Sequence, residues 1–238
     1  MDNDQNVFKK FTQPNYFELP FNLSEIGTSK NIVQPEKASK NRIKAYENLN
    51  LYNFLYDNDS HIDNQITTLT KLKWLFSVIG GIKEIHQKGY YMESLTCKNV
   101  YIDENLNAYL FAPKVIKINS IDDSSFFEEL EENFLNDEEN DDISIYYRPP
   151  ELLNNGFKKI DYMKCDIYSF GILTKEIMES NIPWMSMKSI SKGEQLDVLR
   201  NPRWHLFSKS SFNISDESDE FNDLITILNN CLKVDPNE

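Results

Sequence analysis

The chain has 238 residues, 40% of them hydrophobic and 13% aromatic, which excludes a wholly disordered polymer because disordered chains are poor in aromatics. Lys and Arg number 25 against 38 Asp and Glu, a net charge of −13, and that balance disfavours docking on nucleic-acid phosphates or on anionic lipid. No run approaches the roughly eighteen apolar residues that a membrane helix needs, so no membrane insertion is expected. The start, Met1 to Gln13, is polar and lacks the apolar core of a signal peptide. Cys97, Cys165 and Cys231 are far apart and odd in number, with no metal-ligand spacing, which points to a reduced, cytoplasmic protein.

In chain order, the first forty residues are weakly periodic, with one or two short strands expected between Phe17 and Ile26. Leu51, Phe54 and Leu55 have helical spacing. A long amphipathic helix is predicted from Thr67 to His86, with Leu69, Leu72, Leu75, Phe76, Ile79, Ile82 and Ile85 on one apolar face. Trp74 is placed at the edge of that face. The pair Gly80-Gly81 costs about 1 kcal/mol per Gly relative to Ala, which predicts a close approach of another backbone there. Gly89 supplies the helix stop. Strands at 99–102 and 107–111, separated by Asp103-Glu104-Asn105, predict a hairpin.

Residues 122–142 carry eleven acids in twenty-one positions and read as a solvated loop, or as a docking site for a basic partner. Ser124, Ser125, Ser144, Tyr146 and Tyr147 lie near those acids and are candidate phosphorylation sites. After Pro149-Pro150, the segment from Tyr162 to Ser180 is apolar on more than one face, as a buried central helix requires. Residues 208–220 read as a loop, and Phe221 to Leu232 as a last amphipathic helix. His86 reads as a packed structural histidine, and His61 and His205 as surface residues. Cys97 reads as an inert packed thiol because no base adjoins it. Trp184 is expected to pack between helices.

Four blocks occur in one order. They are Ile85-His86-Gln87-Lys88-Gly89, Arg148-Pro149-Pro150-Glu151-Leu152-Leu153, Asp166-Ile167-Tyr168-Ser169-Phe170-Gly171-Ile172-Leu173 with Glu176, and Cys231-Leu232-Lys233-Val234-Asp235-Pro236. Together they resemble the large lobe of a protein kinase of the tyrosine-kinase-like group. The resemblance implies an α+β, protein kinase-like fold. Residues 46–238 would form a mainly helical large lobe, with 122–142 as an activation-loop-like segment. Residues 1–45 would be a reduced or divergent small β lobe. His86, Glu151, Asp166 and Gly171 would be structural positions of that fold, with Asp166 capping backbone amides of the catalytic loop.

A protein kinase needs an Asp that orients the substrate hydroxyl and accepts its proton, and a second Asp that holds Mg²⁺ against the nucleotide phosphates. On the resemblance, Met92-Glu93-Ser94-Leu95-Thr96-Cys97-Lys98-Asn99 is the catalytic loop. Ser94 stands in place of the first Asp, and Thr96 in place of a phosphate-contacting Lys. Asn99 matches the metal-binding Asn, but one neutral ligand recruits Mg²⁺ poorly. Counting on from Asn99 puts Ala112 at the second Asp, and a one-residue shift gives no carboxylate either. Asp103 and Asp122 lie on the far sides of the hairpin and loop. Ile43-Lys44-Ala45-Tyr46-Glu47-Asn48-Leu49 looks like the last small-lobe strand and hinge. Upstream there is no Gly-x-Gly-x-x-Gly, and none of Lys30, Lys37 and Lys40 follows a convincing apolar strand.

The degenerate equivalents Ser94, Asn99 and Ala112 therefore imply a pseudokinase with no catalytic residue, no metal site and no expected cofactor. It would act as a scaffold or regulator of signalling by binding a protein, an active kinase being one such partner. The alternative is a divergent active kinase, for which ATP and Mg²⁺ would be required. A third expectation is a truncated or decayed product, motivated by the short start and the stop at Glu238.

Overall fold

The computed structural model describes residues 14–18, 29–32, 42–46, 50–56, 66–92, 94–103, 105–112, 115–118, 143–154, 160–181, 187, 189–200, 207 and 219–233. The acidic run 122–142, residues 208–218, Gly27, Lys37, Lys40, His61, Trp184 and His205 lie outside them. The chain divides into two compact units, one of residues 1–93 with 97–117, the other of residues 94–96 with 118–238.

In the first unit, strand β1 (Pro14–Glu18) pairs antiparallel with β2 (Arg42–Tyr46), Tyr16 opposite Lys44. Helix α1 (Leu51–Tyr56) follows, then α2 (Thr68–Gln87). Thr67 caps α2, its Oγ1 accepting from the Thr70 amide at 3.2 Å, a bond that satisfies one of the orphan donors of a helix start. At the other end Gly89 has φ +77°, a left-handed turn open to glycine at little cost, and its N–H donates to the His86 carbonyl. Strand β3 (Tyr90–Met92) pairs antiparallel with β6 (Val115–Lys117). The predicted hairpin is present as β4 (Val100–Ile102) and β5 (Ala108–Leu110), with Tyr101 opposite Tyr109.

The buried face of α2 differs from the predicted one. Trp74 is fully buried, with Leu75, Val78, Ile82 and Ile85, whereas Leu69 is 62% and Phe76 73% exposed. The indole explains the rotation. Trp74 Nε1 donates to the Leu106 carbonyl at 2.8 Å, and its ring meets Phe54 edge-on at 5.7 Å between centroids. A large ring with its N–H satisfied outweighs the burial of a Leu or a Phe elsewhere on the helix. The Gly80-Gly81 pair does mark a close approach, but by side chains. A Cβ on Gly81 would lie 3.0 Å from Leu110 Cβ and Cδ2, and one on Gly80 2.7 Å from Asn31 Nδ2.

In the second unit, a 3₁₀ turn (Ile143–Tyr147) leads to the short helix α3 (Pro150–Leu153). Pro150 is the first helical residue, where a missing N–H costs nothing. Helix α4 (Tyr162–Glu179) is capped by Asp161, whose Oδ1 accepts from the amides of Met163 and Lys164. It is buried on most sides, from Cys165 to Met178. Helix α5 (Lys192–Arg200) was not predicted, although Ser191-Lys192-Gly193-Glu194 is a capping box. The Glu194 amide donates to Ser191 Oγ at 3.3 Å, and the Ser191 amide donates to Glu194 Oε2 at 3.0 Å. Helix α6 (Asp219–Cys231) begins two residues before the predicted start. Its Asn229 clasps the backbone of Phe207, accepting from the amide at 2.6 Å and donating to the carbonyl at 3.2 Å. Among the described residues no helix is long and apolar enough to cross a membrane.

Candidate functional site

In the first unit, Cys97–Asn99 forms a 3₁₀ turn that runs directly into β4. Asn99 is buried, and its carbonyl accepts from the Phe111 amide at 2.7 Å, which ties the turn to the residue before Ala112. Ala112 is also buried. Phe111 meets Tyr101 edge-on at 5.1 Å, and burial pushes the Tyr101 phenol above its ordinary pKa. Lys98 is exposed, its Nζ 5.3 Å from the centre of the Tyr52 ring, a cation–π contact between the turn and α1. Cys97 is wholly buried. His86 is half-buried in the last turn of α2.

Among the residues of this unit whose side chains are described, the carboxylates are Glu84 and Asp103. Each is engaged. Glu84 Oε1 accepts from Asn31 Nδ2 at 2.8 Å. Asp103 builds the hairpin turn, accepting from the amides of Asn105 and Asn107, from Asn107 Nδ2 and from the Tyr109 hydroxyl at 2.8–3.0 Å. Desolvation raises the Asp103 pKa, but these hydrogen bonds outweigh it and hold the carboxyl below its ordinary value. The turn also holds Leu106 at φ +60°, and it is this strained residue whose carbonyl receives the Trp74 indole. Asp103, weighed from sequence as a distant metal ligand, is thus a turn residue. A Mg²⁺–nucleotide complex needs anionic oxygen ligands, and neither Asn99 nor Ala112 is itself an anionic side chain. No group of three or more His, Cys, Asp or Glu is placed to hold a metal among the described residues.

The second unit takes Ser94, Leu95 and Thr96, of which Leu95 and Thr96 are buried and Ser94 half-buried. Among its described residues Glu151, Asp166 and Glu176 are buried acids. Glu151 Oε1 lies 3.9 Å from Cys165 Sγ. Burial, then Glu151, Asp166 and Asp161, push the Cys165 thiol far above its usual pKa, and burial with Glu151 does the same to Tyr168. Tyr147 donates its hydroxyl to Glu176 Oε2. Gly171 sits where α6 presses on α4, because a Cβ there would lie 2.6 Å from Leu232 Cδ2 and 3.2 Å from Cys231 Cβ.

Two predicted modification sites are corrected by burial. Ser144 is 9% and Tyr147 1% exposed, so neither hydroxyl is presented to another enzyme. Tyr146 is half-buried and donates to Gln195 Oε1 at 2.7 Å, while Gln195 Nε2 donates to the Ile190 carbonyl. Sequence reading missed the α3–α5 clamp, in which Arg200 Nε donates to the Leu153 carbonyl at 2.8 Å and Asn154 Nδ2 to the Arg200 carbonyl at 3.2 Å. Its partners are 46 and 47 residues apart, beyond any local signal.

The model of the family "Protein tyrosine and serine/threonine kinase" matches residues 32–238. The chain belongs to the protein kinase family. A protein of Acanthamoeba polyphaga mimivirus, provisionally named a serine/threonine-protein kinase/receptor, is 27% identical over 123 residues. That match covers 52% of this chain and 7% of the viral protein. The kinase-like domain is accordingly mixed in secondary structure and mostly helical, as the four motif blocks implied.

Proposed function

We propose that this kinase-family chain is a pseudokinase, a catalytically inactive domain that acts as a protein-binding scaffold or regulator of signalling. The observation that carries the reading is the chemistry of two positions. Ser94 stands where the motif needs the Asp that accepts the substrate proton, and Ala112 where it needs the Asp that holds the metal. A serine hydroxyl is neutral near pH 7, and an alanine offers no ligand at all. Kinase catalysis consists almost wholly of positioning and charge stabilisation, so the loss of both acids removes most of what the fold would contribute.

In this reading residues 1–45 are a reduced small lobe and 46–238 the large lobe. Glu151, Asp166 and Gly171 serve the fold. No cofactor is used, and the partner is a protein, an active kinase among the candidates. The three cysteines, far apart in sequence and odd in number, support a reducing, cytoplasmic setting.

A divergent active kinase is the second reading, favoured by the retention of Asn99, Glu151 and Asp166 at their motif positions. A thermal melt with Mg²⁺–ATP, with ATP plus chelator and with neither separates the two. A ligand that binds only the folded state raises stability by about 2.7 kcal/mol at a hundredfold excess over Kd. The pseudokinase reading expects no Mg²⁺-dependent shift. A shift that requires Mg²⁺, accompanied by phosphate transfer to a protein substrate, would overturn it.

A further inference from the structure

Helix α2 buries Trp74, Leu75, Val78, Gly81, Ile82 and Ile85 within its own unit and turns a second apolar stripe to solvent. Leu69 and Phe76, 62% and 73% exposed, are seven residues apart. That is two helical turns, about 10.5 Å along one face. The same period sets Lys73 beside them and Lys83 further along, both exposed. Asn31 lies over Gly80, which falls between Phe76 and Lys83 along the helix.

Single exposed apolar residues are ordinary on protein surfaces. This pair differs in its two-turn spacing and in its charge setting. The helix carries three Lys and one Glu in a chain whose net charge is −13. The one acid, Glu84, is half-buried under the Asn31 amide. The stripe is thus a cationic, apolar strip on an acidic molecule.

We infer that this face of α2 is a docking surface for an acidic amphipathic helix of a protein partner. Two apolar side chains of that helix, seven residues apart, would seat on Leu69 and Phe76, and its flanking carboxylates would meet Lys73 and Lys83. Apolar burial supplies the affinity, and the ammonium groups select the sign of the partner and its orientation. The inference deepens the protein-binding reading above and rests on it, since it names the chemistry of the partner.

The test is fluorescence anisotropy with two dye-labelled synthetic helices. One carries Leu at heptad spacing flanked by Glu, and its twin has Lys in place of every Glu. The acidic helix is expected to bind and the basic twin not to. Phe76→Asp is expected to weaken binding by about tenfold or more, as for the loss of a central anchor. Lys73→Glu with Lys83→Glu is expected to weaken it and to remove its salt dependence. Because all three side chains are exposed, these variants should melt like the parent chain, which separates docking from folding. Equal binding of both peptides, no binding of the acidic one, or unchanged binding by Phe76→Asp overturns the docking face. Such a failure, with no Mg²⁺–ATP shift in the melt, leaves the pseudokinase reading standing. A Mg²⁺-dependent shift with phosphate transfer overturns that reading whatever the peptides do.

Discussion

The hydroxyl of Tyr147 donates to the Glu176 carboxylate, and both side chains are 1% exposed. Tyr147 ends the 3₁₀ turn before Pro149-Pro150, and Glu176 lies in the last turn of α4. The bond therefore fixes the segment that leads into α3 against the central helix. Ser169 Oγ, 2.8 Å from the Tyr147 carbonyl, holds the same residue by its backbone.

Tyr147→Phe removes the donor and leaves a buried carboxylate short of a partner. The expected loss is about 1–3 kcal/mol of unfolding free energy, read as a lower midpoint in urea with an unchanged slope. A midpoint equal to that of the parent chain would show that the pair contributes nothing.

Gly171→Ala puts a methyl 2.6 Å from Leu232 Cδ2, and α6 has to move or Leu232 has to leave its rotamer. Overpacking of this kind costs about 1–3 kcal/mol. Leu232→Ala in the same chain should recover part of that loss, so the two changes should be non-additive. Strict additivity in the double variant would count against the contact.

Asp103 sets a pH dependence. Its folded pKa lies below the ordinary Asp value, so the carboxylate stabilises the folded chain above that ordinary value. The contribution is lost as the pH falls through the lowered folded pKa. Asp103→Ala should melt below the parent chain at neutral pH, and the gap should close as the solution is acidified. A gap that stays constant down to about pH 2 would remove the ionised carboxylate from the account.

Cys97 and Cys165 are buried, and the Cys165 thiol is held far above its usual pKa by burial and by the neighbouring acids. The thiolate is the reactive form. Both should therefore resist a thiol reagent near pH 8 in the folded chain and react at once in denaturant. Cys231 is half-buried and should react at an intermediate rate, although burial raises its pKa as well. Rapid labelling of Cys165 in the folded chain would contradict the packing of α4.

If the chain transfers no phosphate, Ser94→Ala should change neither its melt nor its background signal in a radiolabelled transfer assay. Activity in the parent chain that Ser94→Ala abolishes would give Ser94 a role in chemistry and overturn the inactive reading.

Local signals carried well into the structure wherever the cause was local. The Thr67 cap, the Gly89 stop, the Asp103–Asn107 turn and the Asp161 cap act within four residues of themselves, and the helices and the hairpin fell close to where apolar spacing, Gly89 and the Asp103-Glu104-Asn105 turn put them. Helix α5 shows the same physics unread, since its Ser191–Glu194 box was present in the sequence. The family was legible because its motif blocks are short and ordered along the chain.

The side of α2 that would be buried was not legible. The helix has apolar residues on both sides, so a 3.6-residue period admits either. Only the folded unit brings the Leu106 carbonyl and the Phe54 ring to Trp74, and that decided the matter in favour of the indole. The burial of Tyr147 had the same origin, since its partner Glu176 lies 29 residues away along the chain.

Sequence alone determined that positions 94 and 112 carry no carboxylate, because no fold can add one to a Ser or an Ala. Tertiary structure alone decided which of the remaining charges are already committed, Asp103 to its turn and Glu84 to Asn31, and which apolar side chains of α2 stay in water. Residue identity sets what a position can do chemically. Whether it is free to do so depends on neighbours that chain proximity does not reveal.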